Sequence, residues 1–322
     1  MKTHFTFNIS LPATSANLGP AFDAAALALN LWLKVSAAKS REYSITATGQ
    51  DPEICGRVES HLILTTYQEI LRTEKKPAPA LSLKIQNGFP IGKGLGSSAA
   101  ARLAGIALAV HFGRLGWNSR RIVGEAAGRE HHPDNAAACW MGGMTVARMI
   151  VDGEAQVARF VPKGKWPLLL AIPGEALPTE QARSVLPEKY SRADAVTNIQ
   201  NSMLLLAALY QGDREMLASA LEDRIHQPYR EKLCPLLAPL RDFPRGSPRD
   251  FPRGSAKDRG VLGAVLSGAG PSVLMFLDPK AATEKVKAKV EARLRHHGLR
   301  AELVLTSIAK RGGEASFLRR SK

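Results

Sequence analysis

A glycine-rich segment is the part of the sequence whose residues most clearly indicate chemistry. Residues 90–101 read PIGKGLGSSAAA. The alternate glycines free the backbone to approach a ligand closely, and Lys93 adds a positive charge. A helix predicted over 97–112 would direct its unpaired N–H groups and the positive end of its dipole at the same place. The segment therefore predicts a phosphate-binding loop.

Other interpretations of this segment were weighed on the local sequence. A Walker A loop does not fit, because the glycine spacing before the lysine is one residue short and a glycine follows the lysine. A dinucleotide fingerprint fits Gly94, Gly96 and Ala99, but no acidic residue stands about 20 positions later to bind a ribose. The plain structural alternative is a glycine-rich helix start with Ser97 as its N-cap.

Two further segments place small or polar residues beside predicted strands. Residues 12–23, PATSANLGPAFD, put Asn17 and Asp23 on either side of a Leu-Gly-Pro turn, which by itself could be an Asx-turn connection. Residues 262–273, LGAVLSGAGPSV, put four small residues, Ser267 to Gly270, between two apolar runs. That stretch predicts either a hairpin turn or backbone that approaches a phosphate.

The elements that position these segments follow from the spacing of apolar residues. Helices are predicted over 97–112, 119–130, about 194–222 and 280–297. Strands are predicted over 5–11, 31–35, about 81–85, 168–172, 262–266, 273–277 and 301–305. Several neighbouring strands are placed as hairpins, so the pattern favours an α+β fold over a doubly wound sheet.

Composition excludes several classes of protein. The 322 residues are 45% hydrophobic and 23% charged, which is typical of a globular protein and not of a disordered, collagen-like or disulfide-scaffold chain. The three cysteines are far apart with no CxxC, which favours a reducing cytoplasm. Residues 5–11 alternate as a strand does, so they do not predict a signal peptide, and no apolar run is long enough to predict a membrane span.

The formal net charge of +15 raises the alternative of a nucleic-acid-binding protein. Residues 280–322 hold 12 Lys and Arg against 4 Asp and Glu, which is a pattern of solvated surface. Nucleic-acid binding would not explain three glycine segments, so we expect no nucleic-acid partner. A tandem repeat at 241–256, RDFPRGSP followed by RDFPRGSA, is interpreted as a duplication within a surface loop.

The three glycine segments, in this order and spacing, resemble the three motifs of the GHMP kinase superfamily over nearly the whole chain. The resemblance implies a two-domain α+β fold with nucleotide and substrate bound between the domains. It implies a ribosomal protein S5 domain 2-like half over 1–161, with the ATP site, and a ferredoxin-like half over 162–322. The implied ATP-binding residues are Pro90, Ile91, Gly92, Lys93, Gly94, Leu95, Gly96, Ser97, Ser98, Ala99, Ala100, Ser267, Gly268, Ala269 and Gly270.

Within the superfamily, four segments are similar to the homoserine kinases: 12–23, EHHPDN at 130–135, TEQARSVLP at 179–187 and DRIHQPYREKLCP at 223–235. They imply an ATP-dependent cytoplasmic kinase of threonine biosynthesis that phosphorylates the side-chain hydroxyl of L-homoserine, and a homodimer with no membrane partner. Ala21 and His131 stand where that family usually has Gly, and the last strand lacks its usual acidic residue near 309. Another superfamily member acting on a different alcohol, or an inactive regulator, remains an alternative.

The resemblance also implies roles for single residues. Arg183 and Arg230 match two arginines for the substrate carboxylate, with which Arg forms bidentate pairs. Asp23 matches the position that binds the ammonium group. Four more residues are expected to contact the amino acid: Asn17, His132, Asp134 and Thr179.

A second set of residues is implied at the reacting phosphate. Ser98 and Glu130 match ligands of Mg²⁺. Asn135 stands in the region where mevalonate kinase-like members place an Asp as base, so the hydroxyl is expected to lose its proton late, to phosphate or water, with Asn135 and Lys93 as the residues closest to the chemistry. A zinc cluster of His131, His132, Asp134 and Cys139 is a weaker alternative.

Overall fold

The computed structural model describes residues 6–150, 153–243 and 260–318 and contains two antiparallel-rich sheets. The first sheet has six strands: β1 (Phe7–Asn17), β2 (Ala21–Lys39), β3 (Ser44–Gly49), β4 (Leu81–Asn87), β5 (Met144–Met149) and β6 (Ala155–Phe160). Its helices are α1 (Pro52–Cys55), α2 (Leu62–Thr73), α3 (Ser97–Gly113), α4 (Ser119–Glu130) and α5 (Asp134–Met141).

The 19-residue strand β2 organises the first sheet. One of its edges pairs with β1 from Phe7 to Asn17, and β4 and β5 share the other edge. β4 pairs with residues 33–39 and β5 with residues 25–27. The tight turn between β1 and β2 therefore places Asn17 and Asp23 at the end of the longest hairpin of the molecule.

Helix α3 is rich in alanine and is buried along most of its length. Small side chains let α2 approach closely: a Cβ on Gly105 would lie 2.5 Å from the carbonyl oxygen of Ile63. This close packing fixes the start of α3 relative to the sheet, which in turn fixes the glycine-rich segment before it.

The second sheet has the strand order β10-β7-β9-β8, with all neighbours antiparallel. Its strands are β7 (Leu168–Ile172), β8 (Val261–Leu266), β9 (Val273–Leu277) and β10 (Glu302–Thr306). The helices of this half are α6 (Thr179–Ser184), α7 (Arg192–Gln211), α8 (Arg214–Ala220), α9 (Gln227–Arg230), α10 (Leu237–Arg241) and α11 (Thr283–His296). The β-α-β-β-α-β order is that of a ferredoxin-like half, as predicted.

The two sheets are not separate bodies. One hydrophobic core contains Leu11 from the first sheet and Leu274 from the second. After β10 the chain returns to the first sheet, where Ile308 forms a bridge with Leu29 and α12 (Gly313–Phe317) packs on β1. The predicted division at 161/162 separates the sheets in sequence but remains a prediction as a domain boundary.

Most predicted elements agree with the structure, and the differences have simple causes. The helix predicted over 194–222 is two helices, because Gly212 takes a left-handed conformation and Asp213 caps a new start. The elements that were not predicted from the sequence are the strands β3, β5 and β6, the helices α2 and α5, and the short helices α1, α6, α9, α10 and α12. The repeat at 241–256 lies outside the described residues from position 244 onward. Among the described residues, no helix is both long and apolar enough to cross a membrane.

Candidate functional site

A cavity of about 520 Å³ lies where the β1–β2 turn, the glycine-rich loop, α6 and the β8–β9 turn meet. Its lining includes residues from all the segments that the sequence analysis singled out. The predicted site residues that line it are Asn17, Asp23, Ile91, Gly92, Gly94, Gly96, Ser97, Ser98, Glu130, His132, Asp134, Asn135, Thr179, Arg183, Arg230, Gly268 and Ala269.

The glycine-rich loop takes backbone conformations that only glycine adopts easily. Gly92, Gly94 and Gly96 have φ values of 70°, 74° and 71°. A Cβ on Gly94 would lie 2.2 Å from the carbonyl oxygen of Ser267. Gly96, and not Ser97, is the N-cap residue of α3, so the plain N-cap alternative for Ser97 is wrong.

The β8–β9 turn holds the loop from one side. Ser267 Oγ donates a hydrogen bond of 2.7 Å to the carbonyl oxygen of Gly94. On the other side, the backbone N–H of Ile91 donates to Asp51 Oδ2 at 2.7 Å. Two of the three glycine motifs are therefore in direct contact, which explains why both carry small residues.

Seven predicted ATP-site residues do not line the cavity, and Lys93 is the one with a charged side chain. Its Nζ donates a 2.5 Å hydrogen bond to the carbonyl oxygen of Gly174, in the loop after β7. Burial lowers the pKa of Lys93, against the opposing charges of Asp51 and Glu175. The other six support the loop or the turn from behind: Pro90, Leu95, Ala99, Ala100, Ser267 and Gly270.

The two predicted metal ligands are neighbours at the start of α3 and the end of α4. Ser98 Oγ donates to Glu130 Oε1 at 2.6 Å. Arg102 Nε pairs with the same carboxylate oxygen at 2.5 Å. A hydroxyl and a carboxylate thus face the cavity together, beside the predicted phosphate loop.

Asp134 organises the polar residues at the start of α5. Its Oδ1 accepts hydrogen bonds from His132 Nδ1 at 2.7 Å and from the backbone N–H of Asn135 at 2.6 Å. Asn135 Oδ1 accepts a 2.6 Å hydrogen bond from the Thr14 hydroxyl. Burial alone would lower the pKa of His132, but the hydrogen bond and charge of Asp134, together with Asp23, raise it above its ordinary value.

The predicted carboxylate-binding and ammonium-binding residues pair with each other. Arg183 Nη2 donates to Asp23 Oδ1 at 2.6 Å, and both side chains are about one-third exposed. Both arginines lie over the Phe22 ring, with guanidinium carbons 5.5 Å (Arg183) and 5.3 Å (Arg230) from its centroid. An ion pair, a second cation and an aromatic ring therefore converge at one end of the cavity.

Arg230 is only 1% exposed and is held rigidly. Its Nε donates to the carbonyl oxygen of Ala182 at 2.9 Å, and its Nη1 lies 3.1 Å from His226 Nδ1. Burial lowers the pKa of His226, whose Nε2 lies 2.8 Å from the carbonyl oxygen of Gly19. A neutral His226 with the proton on Nε2 satisfies both contacts, donating to Gly19 and accepting from Arg230.

Asn17, which is predicted to contact the substrate, lines the cavity and also has two backbone partners. Its Oδ1 accepts from the backbone N–H of Asp23 at 2.9 Å, and its Nδ2 donates to the carbonyl oxygen of Gly268 at 2.8 Å. Both polar atoms have backbone partners, so the side chain joins the β1–β2 turn to the β8–β9 turn. Asn17 and Asp23 also take positive φ angles of 69° and 53°.

The sequence analysis missed the far end of the cavity. This end is formed mainly by apolar side chains from α1, the start of α2, β4 and the loop after β4: Ile54, Leu62, Ile63, Ile85 and Phe89. His61 lies among them, with Nε2 3.1 Å from the carbonyl oxygen of Cys55 and a buried Nδ1 that has no hydrogen-bond partner among the described residues. Burial lowers the pKa of His61, so its ring is neutral and Nδ1 is an acceptor.

The zinc alternative is not supported, because Cys139 is fully buried in the core and burial raises the pKa of its thiol. Among the described residues, the group with potential ligand atoms within 4.8 Å of one another is Asp23, His132 and Asp134. Arg183 pairs with Asp23 in this group, and a positive partner beside the carboxylates favours an amino-acid site over a second cation site.

The chain matches the family models described as GHMP kinases N terminal domain, over residues 61–143, and GHMP kinases C terminal, over residues 253–296. A homoserine kinase of Solibacter usitatus (strain Ellin6076) is 41% identical over 310 residues, which is 96% of each chain. A homoserine kinase of Synechococcus sp. is 34% identical over 306 residues, 94% of this chain and 96% of that one.

A solved structure has the same fold. The crystal structure of homoserine kinase from Cytophaga hutchinsonii superposes with a TM-score of 0.78 at 22% identity and covers 97% of this chain and 98% of its own. The predicted two-domain α+β fold of the GHMP kinases is thereby confirmed. From the sequence identity over nearly its full length, the chain belongs to the homoserine kinase family of the GHMP kinases.

Proposed function

We propose that this chain transfers the γ-phosphoryl group of ATP to the side-chain hydroxyl of L-homoserine, giving O-phospho-L-homoserine and ADP. The observation that carries the proposal is the composition of one cavity. It joins a phosphate loop to a charged end formed by Asp23, Arg183 and Arg230, which is complementary to an amino-acid zwitterion. Membership of the homoserine kinase family supports the same substrate.

The charged end is proposed to bind the amino acid when Asp23 and Arg183 exchange their contact with each other for contacts with the substrate. Arg183 and Arg230 take the carboxylate, and Asp23 takes the ammonium group, with His132, Asp134 and Thr179 nearby. Asp23 and Arg183 already neutralise each other, so a zwitterion enters without leaving a net charge buried. The buried Arg230 is held at Nε and Nη1, which orients its remaining N–H groups before substrate arrives.

The nucleotide is proposed to occupy the rest of the cavity. Its phosphates lie against the N–H groups of the glycine-rich loop and the start of α3, where the helix dipole favours anions. Its base occupies the apolar end near Phe89 and Ile54. There the unpaired Nδ1 of His61 can accept a hydrogen bond from the exocyclic amino group of adenine.

Ser98 and Glu130 are proposed to hold Mg²⁺. They fit the ion, because a hydroxyl oxygen and a carboxylate oxygen lie 2.6 Å apart at the cavity surface and Mg²⁺ prefers oxygen ligands. When bound, the ion neutralises charge on the phosphates during transfer.

The hydroxyl proton is proposed to leave late, to phosphate or water. Asn135 is an amide and takes up no proton, and its Oδ1 already accepts from Thr14. Asp134 Oδ1 already accepts three hydrogen bonds, from His132 and from two nitrogens of Asn135. These residues hold the hydroxyl in position, and catalysis is mainly positioning and charge stabilisation.

A coupled ADP-release assay tests the substrate. Homoserine is compared with mevalonate, galactose and shikimate at equal concentrations with saturating ATP and Mg²⁺. We expect kcat/KM for homoserine to exceed each of the others by at least about 100-fold, because only an amino-acid zwitterion satisfies both signs of charge. Equal or greater activity on an alcohol without a carboxylate would refute the proposal.

Three further features complete the proposed function. The compartment is the cytoplasm, since the three cysteines are free and buried, as expected where thiols stay reduced. The assembly is a homodimer, and the boundary between the ATP-binding and second domains lies at 161/162. Helix α7 supports the proposed dimer because it exposes large apolar side chains, such as Ile199 and Met203.

A further inference from the structure

His226 is a buried histidine that connects the two charged parts of the amino-acid end of the cavity. It is the N-cap residue of α9, and its ring does not line the cavity. Its Nδ1 lies 3.1 Å from Nη1 of Arg230, and its Nε2 lies 2.8 Å from the carbonyl oxygen of Gly19. Gly19 belongs to the turn that carries Asp23. The ring therefore lies between the proposed carboxylate-binding arginine and the turn that carries the proposed ammonium-binding residue.

The chemistry of the two partners fixes the direction of both hydrogen bonds. A guanidinium only donates and a carbonyl oxygen only accepts, so Nδ1 accepts from Arg230 and Nε2 donates to Gly19. The Asp223 carboxylate lies 3.5 Å from Nε2, but its oxygens accept from the backbone N–H groups of residues 225–227. The neutral ring has one donor and one acceptor, and both are used to join the arginine to the turn.

The ring also packs on the same turn. His226 stacks on Phe22, with centroids 5.3 Å apart and an angle of 26° between the rings. Phe22 directly precedes Asp23, and the Arg230 guanidinium lies over the Phe22 ring. A hydrogen bond at Gly19 and a stacking contact at Phe22 thus hold the histidine against the turn on both sides of residues 20–21.

Arg230 is fixed through two of its three guanidinium nitrogens. Nε donates to the carbonyl oxygen of Ala182, directly before Arg183, and Nη1 donates to His226. Nη2 has no hydrogen-bond partner within the described parts of the chain. The guanidinium is planar and rigid, so the two fixed nitrogens determine where the third one lies. Ala182 therefore sets Arg230 relative to the other arginine, and His226 sets it relative to the turn.

We propose that His226 is a positioning residue, which sets the distance between Arg230 and Asp23 to fit a single α-amino acid. The inference rests on the proposed function. An α-amino acid carries its carboxylate and its ammonium group on one carbon, so the separation of these charges is fixed and short. The cation and the carboxylate that bind them must keep a matching separation, because a misplacement of about 1 Å can cost about 100-fold in rate.

Other contacts to the turn give a matched control. Asn198 Nδ2 and Ser202 Oγ of α7 donate to the carbonyl oxygen of Pro20 at 2.6 and 2.8 Å. These bonds hold the turn on α7 and do not involve Arg230. Ser202→Ala removes one of them and leaves the other, so it tests the loss of a hydrogen bond to the turn without the loss of the connection through His226.

Two variants each cut one side of this connection. His226→Gln can place an amide nitrogen near the position of Nε2, which keeps the donor to Gly19 and removes the acceptor from Arg230. His226→Asn can place its amide oxygen near the position of Nδ1, which keeps that acceptor and loses the bond to Gly19. Each should raise KM for homoserine by about tenfold or more, with KM for ATP within about twofold of wild type.

The control Ser202→Ala should keep both KM values within about twofold of wild type. A homoserine KM within twofold of wild type in either His226 variant, or an equal rise in KM for ATP, would overturn the inference.

A double-mutant cycle separates positioning from general support of the fold. In an Arg230→Ala background, His226→Gln should have little further effect on kcat/KM for homoserine, whereas in an Arg183→Ala background it should keep its full effect. Additive losses in both backgrounds, with a wild type active on homoserine, would overturn the inference alone. A wild type active only on other alcohols would overturn the proposed function, and the inference with it.

A crystal structure of the wild type with homoserine decides the matter if the His226 variants do not fold. Arg230 should contact the substrate carboxylate while His226 keeps its hydrogen bonds to Arg230 and to Gly19. A complex in which Arg230 leaves His226 to reach the substrate, or in which the carboxylate is bound without Arg230, would overturn the inference.

Discussion

The ion pair between Asp23 and Arg183 is the residue-scale feature on which substrate recognition depends. Arg183→Ala removes one hydrogen-bonded cation at a side chain that is about one-third exposed. We expect kcat/KM for homoserine to fall by about 10- to 100-fold, as for loss of a charged hydrogen bond worth about 1.5–3 kcal/mol, with KM for ATP little changed. Steady-state kinetics measure this, and Arg224→Ala, at a surface ion pair with Glu222, is the control. A loss confined to ATP would contradict the assignment.

Glu130 is the residue on which the metal proposal depends. Glu130→Gln keeps the shape and removes the charge, so activity should fall steeply at low Mg²⁺ and recover only in part at high Mg²⁺. Titration of kcat/KM with Mg²⁺ measures this. Glu125→Gln is a matched control, because Glu125 lies on the same helix and pairs with Arg129. Identical Mg²⁺ dependence in the two variants would remove Glu130 from the metal site.

His132 should make stability depend on pH. Its pKa is raised in the folded chain through Asp134 and Asp23, against the effect of burial. A pKa that is higher in the folded chain than in the unfolded chain stabilises the fold when the group is protonated. This stabilisation is complete below the unfolded pKa of about 6.5 and is lost as the pH rises through the folded pKa. The free energy of unfolding should therefore be higher for the wild type than for His132→Gln, and this difference should be larger at pH 5.5 than at pH 8.5. Urea denaturation at both pH values measures the difference, and a constant difference would contradict the prediction.

Single site residues were predictable where they stand in segments similar to those of the homoserine kinases. Arg183, Arg230, Asp23 and Glu130 were predicted, and all four line one cavity. The direction of a long side chain was not predictable: Lys93 reaches the Gly174 carbonyl, which is distant in sequence. His61 was missed because a lone histidine in a loop gives no periodic signal.

At the scale of elements, the glycine-rich loop and the β8–β9 turn work as one unit. Gly94→Ala would add a Cβ 2.2 Å from the Ser267 carbonyl oxygen at a φ of +74°. The left-handed conformation costs about 1–2 kcal/mol for a non-glycine residue, and the clash adds to that cost. We expect a lower Tm and at least a tenfold loss of kcat/KM.

Gly116→Ala is the matched control for this variant. A Cβ there would meet no atom within 4 Å, and Gly116 does not have a positive φ. Its Tm should stay within about 2 °C of wild type. If Gly94→Ala behaved like Gly116→Ala in differential scanning calorimetry and kinetics, the loop and the turn would not be the tight unit described above.

Some missed elements carried a signal and others did not. Helix α2 buries Ile63, Tyr67 and Ile70 at helical spacing, so its pattern was present in the sequence. Strand β3 alternates only between half-buried and exposed positions, because it is an edge strand whose inward-facing Ile45 and Ala47 are only partly covered by the core. Its place is set by parallel pairing with β4, which is a tertiary contact that no local pattern contains.

At the scale of the whole molecule, residues 307–309 complete the first sheet. β5 pairs with β2 as far as Leu27 and β4 from Leu33, which leaves residues 28–32 between the two. Residues 307–309 pair with this part of β2. The Asn30 N–H donates to the carbonyl oxygen of Ser307, and the Ala309 N–H donates to the carbonyl oxygen of Ala28.

Removal of residues 307–322 should therefore destabilise a sheet that begins three hundred residues earlier. The loss should be on the order of 3 kcal/mol or more, at about 1 kcal/mol for each backbone hydrogen bond together with the packing of α12. Urea denaturation measures the stability, and hydrogen exchange should show lost protection at the Asn30 amide, which donates to Ser307 in the full chain. Protection there equal to that of the full chain would contradict the prediction.

The position of residues 307–309 beside β2 has a consequence for how the chain is made. Synthesis proceeds from the N-terminus at about 5–20 residues per second, so β1 and β2 leave the ribosome many seconds before their last partner exists. During that time the hairpin that carries Asn17 and Asp23 lacks the partners of the Asn30 N–H and of the Ala28 carbonyl oxygen. Activity on the nascent chain should therefore begin only after residues 307–309 have left the ribosome and paired with β2, and the open edge is the point at which a chaperone would be most useful during translation.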